Sequence, residues 1–213
     1  MNAEFSGNIE DYFDKIFCIN LDRRIDRWKN VKAECKKHGL NKVERFRAHE
    51  VISQGVVHGH AGCNASHQAI AYMTAHFGWD KVLVLEDDFH IRHEDFHSKF
   101  AEIAPNIPED WDVLYLGGQY GNDKISRVNH NIIRCDLMLT TSSYGIRAKS
   151  ARQMAPYLGG VAIDNTISSF AEGNLHYITQ PRLFIQAEGF SDLSGMIFRN
   201  QGAMEDLRHE MLV

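Results

Sequence analysis

The sequence predicts an α/β fold in which helices flank a mixed, mainly parallel β-sheet within one domain. Short continuous apolar runs, at residues 16–21 and 82–85, are typical of strands buried on both faces of a parallel sheet. Segments with apolar residues three and four positions apart alternate with these runs, as expected of helices that cover a sheet. With 213 residues, the chain has the length of one domain and can bury a full hydrophobic core.

The first half of the chain predicts strands and helices in alternation. The run at 16–21 gives the first strand. Asp22 stands where its carboxylate could cap the next helix, and an apolar stripe carries that helix to Lys37. After it we expect a strand over 42–48, a loop rich in Gly and His over 55–62, a helix over 66–77 in which Ser66 could be the cap, a strand over 82–85 and a helix around 96–103.

The second half predicts shorter and less regular elements, so we expect a mixed rather than a fully parallel sheet. The expected elements are a strand over 113–116, a polar mobile loop over 119–131, two strands or one bent strand over 132–146, helices near 149–158 and 164–172, strands over 177–179 and 183–186, and a final helix over 204–211.

Three consecutive carboxylates, Glu86, Asp87 and Asp88, end the clearest of the buried strands. Buried acids are costly unless a cation balances them, and ligands of open α/β sheets bind beyond the carboxyl ends of the strands. Mg²⁺ or Mn²⁺ takes one or two carboxylates together with phosphate oxygens. Side-chain alternation predicts Glu86 and Asp88 on one side, as metal ligands, and Asp87 on the other. An acidic loop that only caps the next helix is the alternative.

Basic and polar residues follow the first predicted strand. Arg23, Arg24 and Arg27 are close together in sequence, and guanidinium groups hold phosphates through paired hydrogen bonds. The helix start adds a dipole that favours anions, whereas surface arginines on a solvated helix are the alternative. Ser66 and His67 follow a glycine-bearing loop and are candidates to contact a nucleotide.

Charge distribution and cysteine usage limit which class of protein the sequence can encode. Residues 23–47 carry ten Lys or Arg and three acids, while the whole chain has a net charge of −5. Such a segment fits either a surface for a polyanion or a solvated helix face. The four cysteines form no Cys-x-x-Cys pair, the N-terminus lacks a signal-peptide pattern and no apolar run is long enough to span a membrane. We therefore expect a soluble, cytoplasmic protein, in a bacterial cytosol or in that of a virus-infected host.

Taken together and in order, these motifs resemble glycosyltransferase family 25, which includes lipooligosaccharide and procollagen galactosyltransferases. Its matching segments span about residues 16–195, with His60 as a departure where the family usually has an acid. The segments are 19–24 (INLDRR) with Arg27, 46–48 (FRA), 62–67 (GCNASH), 83–88 (LVLEDD), 111–117 (WDVLYLG), 143–146 (SYGI), Asp164, Gln186 and Ser191.

The resemblance implies a GT-A-type fold, a nucleotide-sugar donor (a UDP-sugar by first expectation), Mn²⁺ or Mg²⁺ at Glu86 and Asp88, and inversion at the anomeric carbon. It implies a nucleotide-binding part at about 15–120 and an acceptor-side part at about 121–213. Asp164 is the expected catalytic base, with a simple helix cap as the alternative. The expected donor-binding residues are Asn20, Leu21, Asp22, Arg23, Arg27, Ser66, His67 and Asp87.

Several acceptors and activities fit these motifs. The resemblance implies a cell-envelope saccharide as in lipopolysaccharide biosynthesis, while the basic segment would also suit a hydroxylated base of DNA in a viral genome. A protein hydroxyl is a third acceptor. A non-catalytic module that binds nucleotide-sugar or metal, and a metal-dependent phosphohydrolase, are the alternative classes of function.

Overall fold

A computed structural model describes residues 6–121, 124–157, 162–171, 173–192 and 197–198. Its helices are α1 (Ile9–Tyr12), α2 (Ile25–His38), α3 (Gly59–Phe77), α4 (Phe96–Ile103), α5 (Ala148–Met154) and α6 (Ile163–Ser169). Short 3-10 helices at Ala104–Asn106 and Ala155–Tyr157 continue α4 and α5. The predicted helix over 204–211 lies outside the described residues. No helix in the described ranges is long and apolar enough to span a membrane.

The strands are short, and each predicted strand has a counterpart among them. They are β1 (Lys15–Asn20), β2 (Val43–Arg47), β3 (Ile52–Ser53), β4 (Val56–Val57), β5 (Lys81–Glu86), β6 (Phe89–Ile91), β7 (Val113–Tyr115), β8 (Gln119–Tyr120), β9 (Ile125–Arg127), β10 (Ile132–Cys135), β11 (Met138–Leu139), β12 (Ser143–Arg147), β13 (His176–Thr179), β14 (Phe184–Gln186), β15 (Gly189–Phe190) and β16 (Ile197–Phe198).

Eight of these strands form one sheet in the order β2-β1-β5-β12-β7-β13-β10-β9. The neighbours β2, β1 and β5 are parallel, as are β7 and β13. In contrast, β12 and β10 run antiparallel to both of their neighbours. Six of the eight strands therefore share one direction, which confirms the predicted mixed, mainly parallel sheet.

Helices cover both faces of this sheet. On β5, Leu83 and Leu85 belong to a core formed with α2 and α4, whereas Val82 and Val84 belong to a core formed with α3, α5 and α6. All four side chains are fully buried. Because successive residues of a strand point to opposite faces, an uninterrupted apolar run is what a strand between two helix layers requires.

The start of α2 differs from the prediction. α2 begins at Ile25, and no side chain caps it. Asp22 is not the cap, since its carboxylate accepts hydrogen bonds from Arg45 and Arg47 of β2 instead. These two charged hydrogen-bond donors compete successfully with the backbone N–H groups of the helix start.

The start of α3 also differs. α3 begins at Gly59, so part of the predicted loop is helical and Ser66 is not a cap. Gly62 lies where α3 passes the chain after β2, and a Cβ there would overlap the carbonyl oxygen of His49. Close packing therefore explains a glycine that helix propensity alone disfavours.

The region 119–146 is more regular than predicted. β8 and β9 lie within the predicted mobile loop, and three strands rather than two occupy residues 132–146. Tyr120 and Ile125 pack against the core on the α3 side of the sheet. Contacts between distant parts of the chain thus order a segment whose local composition is typical of a loop.

Candidate functional site

The carboxyl ends of β1 and β5 meet the amino end of β12 at one edge of the sheet. Since β12 is antiparallel to β5, its first residue, Ser143, pairs with Leu85. The backbone N–H of Glu86 donates to the carbonyl oxygen of Ser142 at 3.0 Å. A cavity of about 290 Å³ lies at this edge. The acidic triplet, the loop after β1 and the hydroxyl-bearing residues before β12 meet there.

Nine of the eleven predicted site residues line this cavity: Leu21, Arg23, Arg27, Ser66, His67, Glu86, Asp87, Asp88 and Asp164. Asn20 is buried beside them, and its Nδ2 donates to Oδ2 of Asp87 at 2.6 Å. Asp22 pairs with β2 and is not part of the lining. The fold thus brings together most of the residues that the sequence singled out.

Arg27 bridges two of the three acids. Its Nη1 donates to Oδ1 of Asp87 at 2.6 Å and to Oδ2 of Asp88 at 3.2 Å, and its Nη2 donates to the carbonyl oxygen of Phe190 at 2.7 Å. The prediction that Asp87 points away from the other acids is wrong. β5 ends at Glu86, so the two aspartates lie in a turn, where strand alternation does not apply.

Burial and mutual repulsion govern the ionisation of the triplet. Burial raises the pKa of Asp88 to about 6, and the negative charge of Glu86 adds to this rise. Burial also raises the pKa of Asp87, although Arg27 opposes it. Oδ1 of Asp88 is buried and has no hydrogen-bond partner. A cation placed next to this oxygen would relieve both its desolvation and its repulsion from Glu86.

Glu86 has a separate set of neighbours. Oγ1 of Thr141 donates to Oε1 of Glu86 at 2.6 Å, and Nε2 of His67 lies 3.3 Å from the same oxygen. Burial opposes ionisation of Glu86, but His67, Thr141 and Arg27 together outweigh it and lower its pKa. Sγ of Cys63, a ring nitrogen of His67 and a carboxylate oxygen of Glu86 lie within 4.8 Å of one another, as a group of potential metal ligands.

Two of these neighbours were not predicted as site residues. Thr141 is brought to Glu86 by the pairing of β12 with β5, and no local sequence pattern predicts that pairing. Cys63 had a usable signal, because it lies four residues before His67 and both therefore occupy one face of α3.

Arg23 and Arg24 bind a carboxylate of the chain itself. Nη1 of Arg23 donates to Oδ1 of Asp192 at 2.5 Å, and Nη1 of Arg24 donates to the other oxygen of the same side chain. Nε of Arg23 donates to Glu50 at 2.8 Å. In the described ranges, seven of the ten basic residues of 23–47 pair with acids, so this segment presents less free charge than its composition suggests.

Ser66 and Asp164 line the cavity and already have partners. Oγ of Ser66 donates to the carbonyl oxygen of Gly62 and accepts from the backbone N–H of His49, both at 2.8 Å. These bonds fix α3 against the chain after β2. Asp164 is the second residue of α6, and its carboxylate accepts from the next backbone N–H at 2.8 Å and from that of Thr140 at 3.4 Å.

Sequence comparison identifies relatives among curated proteins, although no protein-family model matches the chain. The chain is 26% identical to procollagen galactosyltransferase 2 of Homo sapiens, over 67% of this chain and 27% of that protein. This chain resembles the procollagen galactosyltransferases. The Mus musculus protein is 25% identical over the same shares. These matches confirm the resemblance predicted from the motifs, and the chain spans about a quarter of the length of the curated relatives.

Similar arrangements of sheet and helices occur in solved structures. One is a mutant β-1,4-galactosyltransferase 7 from Drosophila, in complex with manganese, UDP-galactose and xylobiose (11% identity, TM-score 0.43, 88% of this chain and 78% of that one). Another is a glycosyltransferase involved in glycosylation of the major capsid of PBCV-1 (9%, TM-score 0.42, 78% and 94%). A third is a thymidylyltransferase-like protein of Bacillus anthracis (8%, TM-score 0.46, 80% and 69%).

Proposed function

We propose that the chain is an inverting, metal-dependent glycosyltransferase that moves a sugar from a nucleotide-diphosphate sugar to an acceptor hydroxyl. A UDP-sugar is the donor that we expect first. One observation carries the proposal. Glu86, Asp87 and Asp88 line a cavity at the carboxyl end of a central strand, where ligands of α/β sheets bind. The similarity to procollagen galactosyltransferase 2 supports a sugar transfer over other reactions that use acidic residues.

The residues at this edge fit a hard divalent cation such as Mn²⁺ or Mg²⁺. Oδ1 of Asp88 is buried without a partner, and the Glu86 carboxylate lines the same cavity. These oxygens are ligands that Mn²⁺ and Mg²⁺ prefer, and both ions accept phosphate oxygens at their remaining positions. When bound, the ion neutralises charge on the departing nucleoside diphosphate. We assign Asp88 as the chief ligand and Glu86 as the second.

We assign donor binding to residues around the triplet, within about 15–120. Arg23 and Arg27 line the cavity and supply guanidinium groups for the diphosphate. Asn20 does not line the cavity. It contributes indirectly, because it holds Asp87 in place through a hydrogen bond of 2.6 Å. Leu21 and His67 line the cavity and complete the donor site.

We assign Asp164 as the general base. An inverting transfer requires a group that accepts the proton of the acceptor hydroxyl as the new bond forms. Asp164 lines the same cavity from the acceptor-side part of the chain, about 121–213, and two backbone N–H groups hold its carboxylate in position. The proton of the acceptor hydroxyl passes to this carboxylate while the sugar carbon exchanges its phosphate oxygen for the acceptor oxygen.

A saccharide is the acceptor that we favour over DNA, and we place the reaction in the cytoplasm. DNA binding needs several free cationic side chains to replace counterions of the phosphates. Most basic residues of the 23–47 segment pair with acids of the described chain instead. All four cysteines are free thiols, which suits a reducing compartment.

The test measures release of nucleoside diphosphate from a panel of nucleotide-sugars, with MnCl₂ or MgCl₂, with and without saccharide acceptors. We expect metal-dependent release that acceptor accelerates, and a product of inverted anomeric configuration by NMR. Asp88→Asn should lose the metal-dependent turnover. Asp164→Asn should bind donor, measured by thermal shift, and lose transfer.

Different failures contradict different parts of the proposal. Donor binding without any release would identify a non-catalytic binding module. Release of inorganic phosphate would identify a phosphohydrolase. Full turnover by Asp164→Asn would remove Asp164 as the base. Salt-sensitive binding to duplex DNA in a mobility-shift assay, with no transfer to saccharides, would favour the DNA acceptor.

A further inference from the structure

Cys63, His67 and Glu86 bring together a thiol, an imidazole and a carboxylate. Mg²⁺ and Mn²⁺ favour oxygen ligands, whereas sulfur and nitrogen ligands suit Zn²⁺. We propose that these three residues bind a thiophilic divalent ion of the Zn²⁺ type, at a site that shares only Glu86 with the oxygen site assigned to Mn²⁺ or Mg²⁺. The binding depends on these three side chains and not on the proposed transfer reaction.

The spacing of His67 and Glu86 fits two ligands of one ion. Nε2 of His67 and Oε1 of Glu86 are 3.3 Å apart. Zinc–nitrogen and zinc–oxygen bonds of about 2.0–2.2 Å in a tetrahedral site put these atoms about 3.3 Å apart. The His67 side chain is fully buried, and its Nε2 makes no hydrogen bond of normal geometry. A buried ring nitrogen that lies beside a carboxylate without a well-formed hydrogen bond marks a position where a bound cation would satisfy both groups.

Neighbouring residues hold these ligands in orientation. Nδ1 of His67 is 2.9 Å from the hydroxyl of Tyr144, and the two rings stack with their centroids 5.7 Å apart. Oγ1 of Thr141 donates to Oε1 of Glu86 at 2.6 Å. Hydrogen bonds from a second layer of residues to the free nitrogen of a histidine and to a carboxylate are typical of metal sites, where they fix the direction of the ligands.

The thiol completes the set with a small movement. Sγ of Cys63 lies within 4.8 Å of the other two ligand atoms, against about 3.5 Å between sulfur and nitrogen around tetrahedral zinc. Cysteine binds Zn²⁺ as the thiolate, so the ion takes the place of the thiol proton, which is released to solvent. All three residues line the cavity, so the fourth coordination position is open to water or to an oxygen of a bound molecule.

Cobalt(II) tests the site directly, because it replaces Zn²⁺ and reports its ligands by absorption. We expect titration of the metal-free protein with Co²⁺ to give a thiolate-to-cobalt charge-transfer band and the strong visible bands of four-coordinate cobalt. Zn²⁺ should displace the cobalt and abolish both. Cys63→Ser should lose the charge-transfer band and bind Zn²⁺ at least about tenfold more weakly, the lower range for damage to a metal site.

The matched control is Cys35→Ala, which removes a buried cysteine on the other face of the sheet. It should keep the band and the Zn²⁺ affinity. Circular dichroism verifies that both variants are folded. Absence of the band in the unsubstituted protein, its persistence in Cys63→Ser, or its loss in Cys35→Ala would overturn the proposal. Failure of sugar transfer leaves the cobalt spectra unchanged, so the two proposals fail separately.

Discussion

Replacing Asp88 with asparagine is expected to stabilise the metal-free protein above pH 6. The carboxyl group of Asp88 has a pKa of about 6 in the folded chain, against 3.8 as the ordinary value, because burial and then Glu86 disfavour its charge. The folded state therefore holds this proton more tightly than the unfolded state. As pH rises from about 4 to 6, ionisation of Asp88 costs the folded state free energy, and asparagine escapes this cost.

The size of the effect follows from the difference between the two pKa values. A difference of about 2 units corresponds to about 3 kcal/mol of unfolding free energy at neutral pH, at 1.36 kcal/mol per unit. Of this, about 2 kcal/mol develops between pH 4.5 and pH 7.5. Arg27 keeps its closer partner, Asp87, at 2.6 Å. The amide oxygen of asparagine can still accept the hydrogen bond that Gln186 donates to Asp88.

Urea unfolding in the presence of EDTA, at about pH 4.5 and about pH 7.5, measures this effect. The stability of Asp88→Asn minus that of the unsubstituted protein should grow with pH by about 2 kcal/mol. Asp26→Asn is the control, since a hydrogen bond from Arg24 lowers the pKa of the exposed Asp26 to about 2. Its stability difference should be negative and nearly equal at both pH values. A difference for Asp88→Asn that is constant or shrinks as pH rises would refute the reasoning.

Three further substitutions probe other parts of the structure. Gly117→Ala should lower the free energy of unfolding in urea by the upper end of about 1–3 kcal/mol, because its Cβ would overlap the carbonyl oxygen of Phe184, while Gly189→Ala, with open space, should be neutral. Arg27→Met should cost about 3–5 kcal/mol at pH 8, since it leaves two buried carboxylates without their cation, and Mn²⁺ should restore part of the loss in a thermal melt. Burial lowers the pKa of His176 to about 4, so stability is lost as pH falls from 6.5 towards 4; His176→Phe should remove this loss, and a variant that unfolds in acid like the unsubstituted protein would contradict it.

Elements whose burial is symmetric could be predicted from the sequence. β1 and β5 lie within one residue of the predicted strands, because a strand between two helix layers must be apolar on both faces. The same logic located the acidic triplet at the cavity, since polar residues that directly follow such a strand emerge at the sheet edge. These predictions need only the local chain and the direction of the strand.

Features that depend on contacts between distant segments were missed. Thr141 reaches Glu86 because β12 inserts antiparallel beside β5, and no short-range pattern encodes that pairing. Asp192 meets Arg24 across 168 positions of sequence. α3 begins earlier than predicted and includes Gly62, whose close packing against the chain after β2 is a tertiary contact that the local sequence does not show.

The ion pairs of Asp192 with Arg23 and Arg24 affect how anions bind in this cavity. The two guanidinium groups already share an internal carboxylate, so a diphosphate that arrives there exchanges one anion for another. Such an exchange releases few bound counterions into solution. Donor affinity should therefore vary only weakly with ionic strength. At sites whose arginines have no carboxylate partner before phosphate binds, the dependence is stronger.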